Sequence, residues 1–288
     1  MKPDAVLVIG SDGSIGQALT KHLTDAGKQV LATTRRPNPR WPASIFLDLT
    51  QDSSRWQPPE RVSVAYFCAG VSSIDHCRRQ PLESAQVNVQ NTVGLAKALV
   101  ARGTFVVFPS TNLVYDGSVP CRKVTEPVCP VTEYGRQKAE AERQLLALGD
   151  LVLVFRVSKV LAHGDPLFAS WIDALRRGQK VEAFSDMVMA PLSQAFVISV
   201  LSKMAATRKP GIFQASGQTD ITYEQAARYI AKRMGASQKL IQPVKAALTR
   251  KDFESIPAHT TLDSSELSDA FGETPPEPWK VLDSLIVS

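Results

Sequence analysis

A short apolar run, Ala5–Ile9, ends in Gly10-Ser11-Asp12-Gly13-Ser14-Ile15-Gly16, and an amphipathic stretch begins inside that loop. No other feature limits the fold as strongly. Ile15, Ala18, Leu19 and Leu23 recur at helical spacing through Ser14 to Ala26, and Gly27 closes the stretch. The order is strand, glycine loop, helix. A first glycine permits a tight turn, a second lets the backbone approach a pyrophosphate, and a third lets the helix pack on the sheet. An anion in such a loop meets free N–H groups at the positive end of the helix dipole. The whole loop, Gly10 through Gly16, is therefore the expected cradle of a dinucleotide.

The remaining chain continues the pattern. Strand runs are expected at Gln29–Thr33, Ser44–Leu47, Val62–Phe67, Thr104–Phe108 and Leu151–Phe155. Helical patterns cover Leu82 to Ala101 and Glu133 to Leu148. Near-continuous apolar strands alternating with amphipathic helices mark a parallel sheet covered on both faces. With right-handed crossovers this is an α/β fold with a doubly wound parallel sheet, the dinucleotide-binding Rossmann arrangement. After Leu161 the alternation loosens. Residues 1–160 are thus expected to form the dinucleotide-binding domain and 161–288 a smaller substrate-binding part, with 193–215 returning to the first sheet. The spacing G-x-x-G-x-x-G resembles that of the short-chain dehydrogenases among the dinucleotide binders.

Cofactor choice is read at the end of the second strand. A site for NAD puts an acid there to hold the ribose hydroxyls. Here the chain has Thr33-Thr34-Arg35-Arg36, with no acid in reach. A guanidinium fork matches a 2′-phosphate, so Arg35 and Arg36 predict NADP(H).

Tyr134-Gly135-Arg136-Gln137-Lys138 opens the helix after the fifth strand. Tyrosine and lysine at this spacing share one helical face, and a nearby cation would favour the phenolate. The strand before it ends in Ser110-Thr111-Asn112, hydroxyls and an amide at the carboxyl edge where ligands bind.

Taken together, these motifs resemble the extended short-chain dehydrogenases/reductases, and most closely the dTDP-4-dehydrorhamnose reductase group of sugar-nucleotide enzymes. Asp48-Leu49 is similar to the pair flanking the adenine, and Cys68-Ala69-Gly70 to a segment near the cofactor. Val87-Asn88-Val89 resembles a motif whose Asn supports the active-site backbone. Val114-Tyr115-Asp116-Gly117 and Thr261 to Leu267, with Phe271-Gly272, extend the likeness to nearly the whole chain. The resemblance implies that Tyr134 donates a proton to a substrate carbonyl. It also implies that Lys138 holds the nicotinamide ribose and lowers the tyrosine pKa, and that Thr111 hydrogen-bonds the reacting oxygen. Ser72, Asn112 and Tyr134 would face the substrate, in a pocket bounded by the segment from Leu161 to Leu192. That substrate would be a nucleotide-linked keto-sugar.

Two departures qualify the likeness. Dehydratases of the group carry Asp-Glu after the catalytic Thr, where this chain has Asn112-Leu113, so dehydration is not expected. The stretch Ser185 to Leu192 keeps the family's Asp and Pro but has Met187 and Leu192 in place of its Gln and Thr. An epimerase that retains its cofactor and a non-catalytic NADP-binding regulatory subunit are the alternative readings.

Composition narrows the rest. The 288 residues carry a net charge of +5 without a basic arm, so nucleic acid is not an expected partner. Apolar runs fall short of a membrane span, and no signal peptide is read, so the expected compartment is the cytoplasm. Cys68, Cys77, Cys121 and Cys129 have no metal-ligand or framework spacing and read as free thiols, and no metal site is expected. Helices flanking sheets of this kind commonly form dimer faces, which makes a homodimer a further expectation.

Overall fold

The computed structural model describes residues 5–41, 44–53, 55–59, 61–249 and 254–286. The chain begins β1 (Ala5–Ile9), α1 (Ser14–Asp25), β2 (Val30–Thr34), β3 (Ser44–Phe46), β4 (Val62–Phe67), α2 (Ile74–Arg79) and α3 (Pro81–Ala85). It continues through α4 (Thr92–Val100), β5 (Phe105–Thr111), α5 (Glu133–Leu146) and β6 (Val152–Val157). Next come β7 (Val160–Leu161), α6 (Pro166–Arg176), β8 (Val181–Phe184), β9 (Val188–Met189), β10 (Leu192–Ser193), α7 (Gln194–Thr207) and β11 (Gly211–Ala215). Then follow β12 (Ile221–Thr222), α8 (Tyr223–Arg233) and β13 (Ile241–Val244).

Seven strands form the main sheet in the order β11-β6-β5-β4-β1-β2-β3, and β3, β2, β1, β4 and β5 pair in parallel. This is the doubly wound α/β sheet. Its strands are apolar on both faces because helices cover both, and every residue of Val152–Val157 is buried. Chain order reverses at β1, which lies between β2 and β4. That reversal opens a crevice at the carboxyl ends of the strands. Ile9 pairs with Phe67, and the Cys68 N–H donates to the Ile9 carbonyl at 2.9 Å. Gly10 and Cys68 therefore leave the sheet side by side.

One helix departs from the expected form. The pattern from Leu82 to Ala101 reads as a single α-helix, whereas α3 and α4 are joined by a π-helical turn at Gln86–Asn91. Thr92 donates its hydroxyl to the Val87 carbonyl at 2.7 Å, a bond spanning the widened turn. The wider turn carries Asn88 inward, where its side chain bonds Val71 and Gln137.

Contacts divide the chain into two units. The first comprises Met1–Val114, Val128–Arg156 and Ile198–Phe213, with a core that includes Leu7, Phe67, Leu95 and Val154. The second comprises Tyr115–Pro127, Val157–Val197 and Gln214–Ser288. Within it β8 pairs with β13, β9 with β12 and β7 with β10, around a core of Phe168, Trp171, Ile230 and Leu282. The Tyr115–Pro127 segment belongs to the second unit, although the sequence groups it with the first 160 residues. Its anchor is local to that unit, for Cys121 donates to the Thr261 carbonyl and Arg122 bridges Leu262. Among the described residues no helix is long and apolar enough to cross a membrane.

Candidate active site

The glycine turn is built for close approach. Gly10 has φ +84°, and a Cβ there would stand 2.5 Å from the Ala69 nitrogen, so both the conformation and the space require glycine. A Cβ on Gly16 would meet the Gly10 carbonyl oxygen at 2.1 Å, which is why the helix can start so near the turn. Gly13 is the N-cap of α1 and offers no side chain to its first turn. The turn is held to β2 from behind: Gly10 donates to the Thr33 hydroxyl at 2.9 Å, and the Ser11 hydroxyl donates to the Thr33 carbonyl at 2.9 Å.

In front of the turn lies a cavity of about 670 Å³. Gly10, Asp12 and Gly13 line one part of it, Arg35 and Arg36 another, and Asp48-Leu49 and Cys68-Ala69-Gly70 the remainder. Ser11, Ser14, Ile15 and Gly16 stand outside its wall: Ser11 is buried behind the turn, and the others form the first turn of α1. A glycine cradle with two guanidinium groups beside it fits a dinucleotide phosphate chain.

The expectation that no acid reaches the arginines is corrected here. Asp48 Oδ1 lies 3.6 Å from Arg35, and Asp12 Oδ1 lies 3.8 Å from Arg36. Asp12 Oδ2 also accepts the Thr34 hydroxyl at 2.7 Å. These acids come from the glycine loop and from beyond β3, and strand pairing brings them to the end of β2. Burial raises the Asp48 pKa, but the Thr50 N–H and hydroxyl and the Arg35 guanidinium outweigh it and hold the carboxyl below its ordinary value.

The tyrosine and lysine share α5, whose first turn is capped by the Thr132 hydroxyl accepting the Gly135 N–H at 3.0 Å. The Lys138 ammonium points to the end of β5. It donates to the Pro109 carbonyl at 2.8 Å and sits 3.6 Å from the centre of the Phe108 ring. Burial pulls its pKa down to about 7, with Glu142 opposing. The predicted lowering of the Tyr134 pKa is not found. Burial pushes that phenol above its usual value, and the Cys77 thiol adds to the rise, while the lysine is occupied by Pro109. The Thr111 hydroxyl is buried and accepts the Leu113 N–H at 3.2 Å. Asn112 is half-buried and Ser72 exposed, and neither they nor Thr111, Tyr134 or Lys138 belong to the cavity wall. Cys68 lines the cavity, and burial pushes its thiol up to about 12 against the pull of Lys138.

Two supporting residues, Glu142 and Arg156, escape the sequence reading. Glu142, one turn beyond Lys138, accepts a hydrogen bond from Ser110 and pairs with Arg156 of β6 at 2.7 Å, both side chains 3% exposed. This network ties β5, α5 and β6 together behind the lysine. Tyrosine, lysine and glutamate at successive four-residue steps on one helix face are a signal that sequence alone carries. Asn88 grips Val71 through both its N–H and its carbonyl, at 2.8 and 2.9 Å, and donates to Gln137 of α5 at 2.8 Å. It thereby fixes the backbone that follows the Cys68-Ala69-Gly70 wall. In the second unit Asp186 accepts the Ala246 and Ala247 N–H groups, and Met189 is buried in the core with Met187 packed against it. Among the described residues no cluster of His, Cys, Asp and Glu is arranged to hold a metal ion.

The chain is 25% identical over 296 residues to a dTDP-4-dehydrorhamnose reductase of Aggregatibacter actinomycetemcomitans, covering 97% of both chains. It is 27% identical over 170 residues to methionine adenosyltransferase 2 subunit beta of Xenopus tropicalis, covering 59% of this chain and 51% of that protein. A dTDP-4-dehydrorhamnose reductase from Bacillus anthracis, solved in complex with NADP, superposes with a TM-score of 0.86 at 17% identity, covering 99% of this chain and 98% of that one. The model of the RmlD substrate binding domain matches residues 4–286, and the chain belongs to that family.

Proposed function

We propose that this protein is an NADP(H)-dependent reductase of a nucleotide-linked keto-sugar. The observation that carries the reading is one cavity with the glycine turn, both arginines and the Cys68-Ala69-Gly70 segment on its wall. Full-length similarity to dTDP-4-dehydrorhamnose reductases supports the sugar-nucleotide class.

In this reading the turn at Gly10–Gly16 holds the pyrophosphate, Arg35 and Arg36 take the 2′-phosphate, and Asp48-Leu49 flank the adenine. Bound nicotinamide would supply a hydride to the carbonyl carbon. Tyr134 supplies the proton to the carbonyl oxygen. Its high pKa keeps it protonated at neutral pH, which suits a donor, and a cation brought beside it on binding eases release. Lys138 is that cation and also holds the ribose. Thr111 donates a hydrogen bond to the reacting oxygen, with Ser72 and Asn112 orienting the sugar.

The test is NADPH oxidation followed at 340 nm against a panel of 4-keto nucleotide sugars. Stoichiometric consumption with one of them is expected. Conversion of a nucleotide sugar without net consumption would assign an epimerase instead. Similarity to methionine adenosyltransferase 2 subunit beta favours a cofactor-binding regulatory subunit as the second reading. Tight NADPH binding with no turnover of any sugar would support that reading; the presence of Thr111, Tyr134 and Lys138 together argues against it.

A further inference from the structure

We propose that Asp12 is a specificity-determining residue that restrains this cavity's preference for NADP(H) and keeps it open to NAD(H). The inference rests on the cofactor reading above and adds a residue to it. The cavity is not a basic pocket. Its wall carries the carboxylates of Asp12, Asp48 and Glu83 against the guanidinium groups of Arg35 and Arg36. Phosphate recognition here depends on which carboxylate faces which arginine, and not on net charge.

Asp12 is placed to matter most. An acid at the end of the second strand is what holds the ribose hydroxyls in an NAD site. The strand itself ends in Thr33-Thr34-Arg35-Arg36, yet the glycine loop delivers Asp12 to the same point from the other side. The Thr34 hydroxyl donates to its Oδ2 at 2.7 Å and fixes its orientation, leaving Oδ1 directed at Arg36, 3.8 Å away. Asp48 differs: it is tied to the Thr50 N–H at 3.0 Å and faces Arg35.

Two ligands would use this arrangement in opposite ways. A free ribose hydroxyl can donate to the Asp12 carboxylate, which favours NAD(H). A 2′-phosphate must draw Arg36 away from Asp12 and then lie near an uncompensated carboxylate. Arg36 is 66% exposed and Asp12 25% exposed, so the exchange happens in a setting close to water. One unit charge a few ångströms away then changes affinity by about tenfold.

The experiment measures binding, independently of turnover. Titration calorimetry is run on the parent and on Asp12→Asn with NADP+, NAD+, 2′,5′-ADP and 5′-AMP. Asparagine keeps the size and the acceptor for Thr34 and removes the charge. The expected result is NADP+ and 2′,5′-ADP binding about tenfold tighter, with NAD+ and 5′-AMP unchanged or weaker. Thr34→Val, which frees the carboxylate from its anchor, should widen the same ratio by a smaller factor. It replaces Asp12→Asn if that variant does not fold. An NADP+-to-NAD+ affinity ratio equal to the parental one would overturn the proposal and leave the cofactor reading standing. A parent that binds none of the four probes would overturn both.

Discussion

Lysine 138 is held in the fold at a cost that can be measured. The ordinary lysine pKa of 10.5 falls to about 7 at this position through burial. Between those values the unfolded chain carries a proton that the folded chain lacks. Stability from this group therefore rises with pH by ~1.4 kcal/mol per unit across that window, is fully present above 10.5, and is lost as pH falls through about 7. At pH 7 the accumulated cost to the parent is about 4 kcal/mol. Lys138→Met removes it, but also leaves the Pro109 carbonyl without its donor, about 1–3 kcal/mol. The variant should thus be about 2 kcal/mol more stable than the parent at pH 7 and less stable at pH 10. Urea unfolding of both proteins at matched pH values gives the difference directly, because titrations common to the two cancel. A difference that stays constant from pH 7 to pH 10 would refute the reasoning, since it would mean that Lys138 titrates as an exposed lysine does.

Replacing Tyr134 by Phe should lower kcat by ~10²–10⁴ with NADPH affinity almost unchanged, and Thr111→Val should lower it by about 10–100-fold. A Tyr134→Phe enzyme at the parental rate in steady-state assays would remove the tyrosine from the chemistry. Arg35→Ala combined with Arg36→Ala should erase a preference of at least about tenfold for NADPH over NADH, since charged hydrogen bonds contribute roughly 1.5–3 kcal/mol each. Equal affinities for the two in the parent, by calorimetry, would contradict that assignment. Glu142→Gln leaves the Arg156 guanidinium buried without its carboxylate and should cost about 3–5 kcal/mol in urea unfolding, most of it recovered by adding Arg156→Met. A cost below about 1 kcal/mol for the single change would mean that the pair does not tie α5 to β6.

The sheet was legible because of what burial on both faces does to composition: Val152–Phe155 and Phe105–Phe108 are apolar runs that no amphipathic element would tolerate. The glycine loop was legible because close approach leaves one residue type available at Gly10 and Gly16. The π turn was not. Apolar periodicity runs through Leu82 to Ala101 without interruption, and the widening depends on Asn88 reaching Val71, a contact that exists only after the chain has folded. The arginine partners were hidden for the same reason. Asp12 and Arg36 are 24 positions apart and meet because β1 and β2 pair in parallel. Arg156 gave a readable sign, a charge at the end of an otherwise apolar run, although its meaning lay in Glu142.

Three arginines of the first unit and Lys138 are held in different ways. Arg35 faces Asp48, Arg36 faces Asp12, and Arg156 faces Glu142, so each of these three guanidinium groups is matched by a carboxylate at close range. Lys138 is matched by a carbonyl and an aromatic ring, and Glu142 acts on it only from beyond hydrogen-bond reach. A cation kept this way has more to gain from an electron-rich ligand than one already neutralised, because a new acceptor adds an interaction instead of replacing an ion pair. The same burial that depresses its pKa keeps water from competing for the ammonium. The buried pair behind it explains how the arrangement persists. Ser110, Glu142 and Arg156 fix the strand end and the helix on either side of the lysine, and the side chain has little room to relax toward solvent. Stability given up at position 138 and rigidity supplied by Glu142 and Arg156 are therefore two parts of one device, which holds a buried lysine at the end of β5.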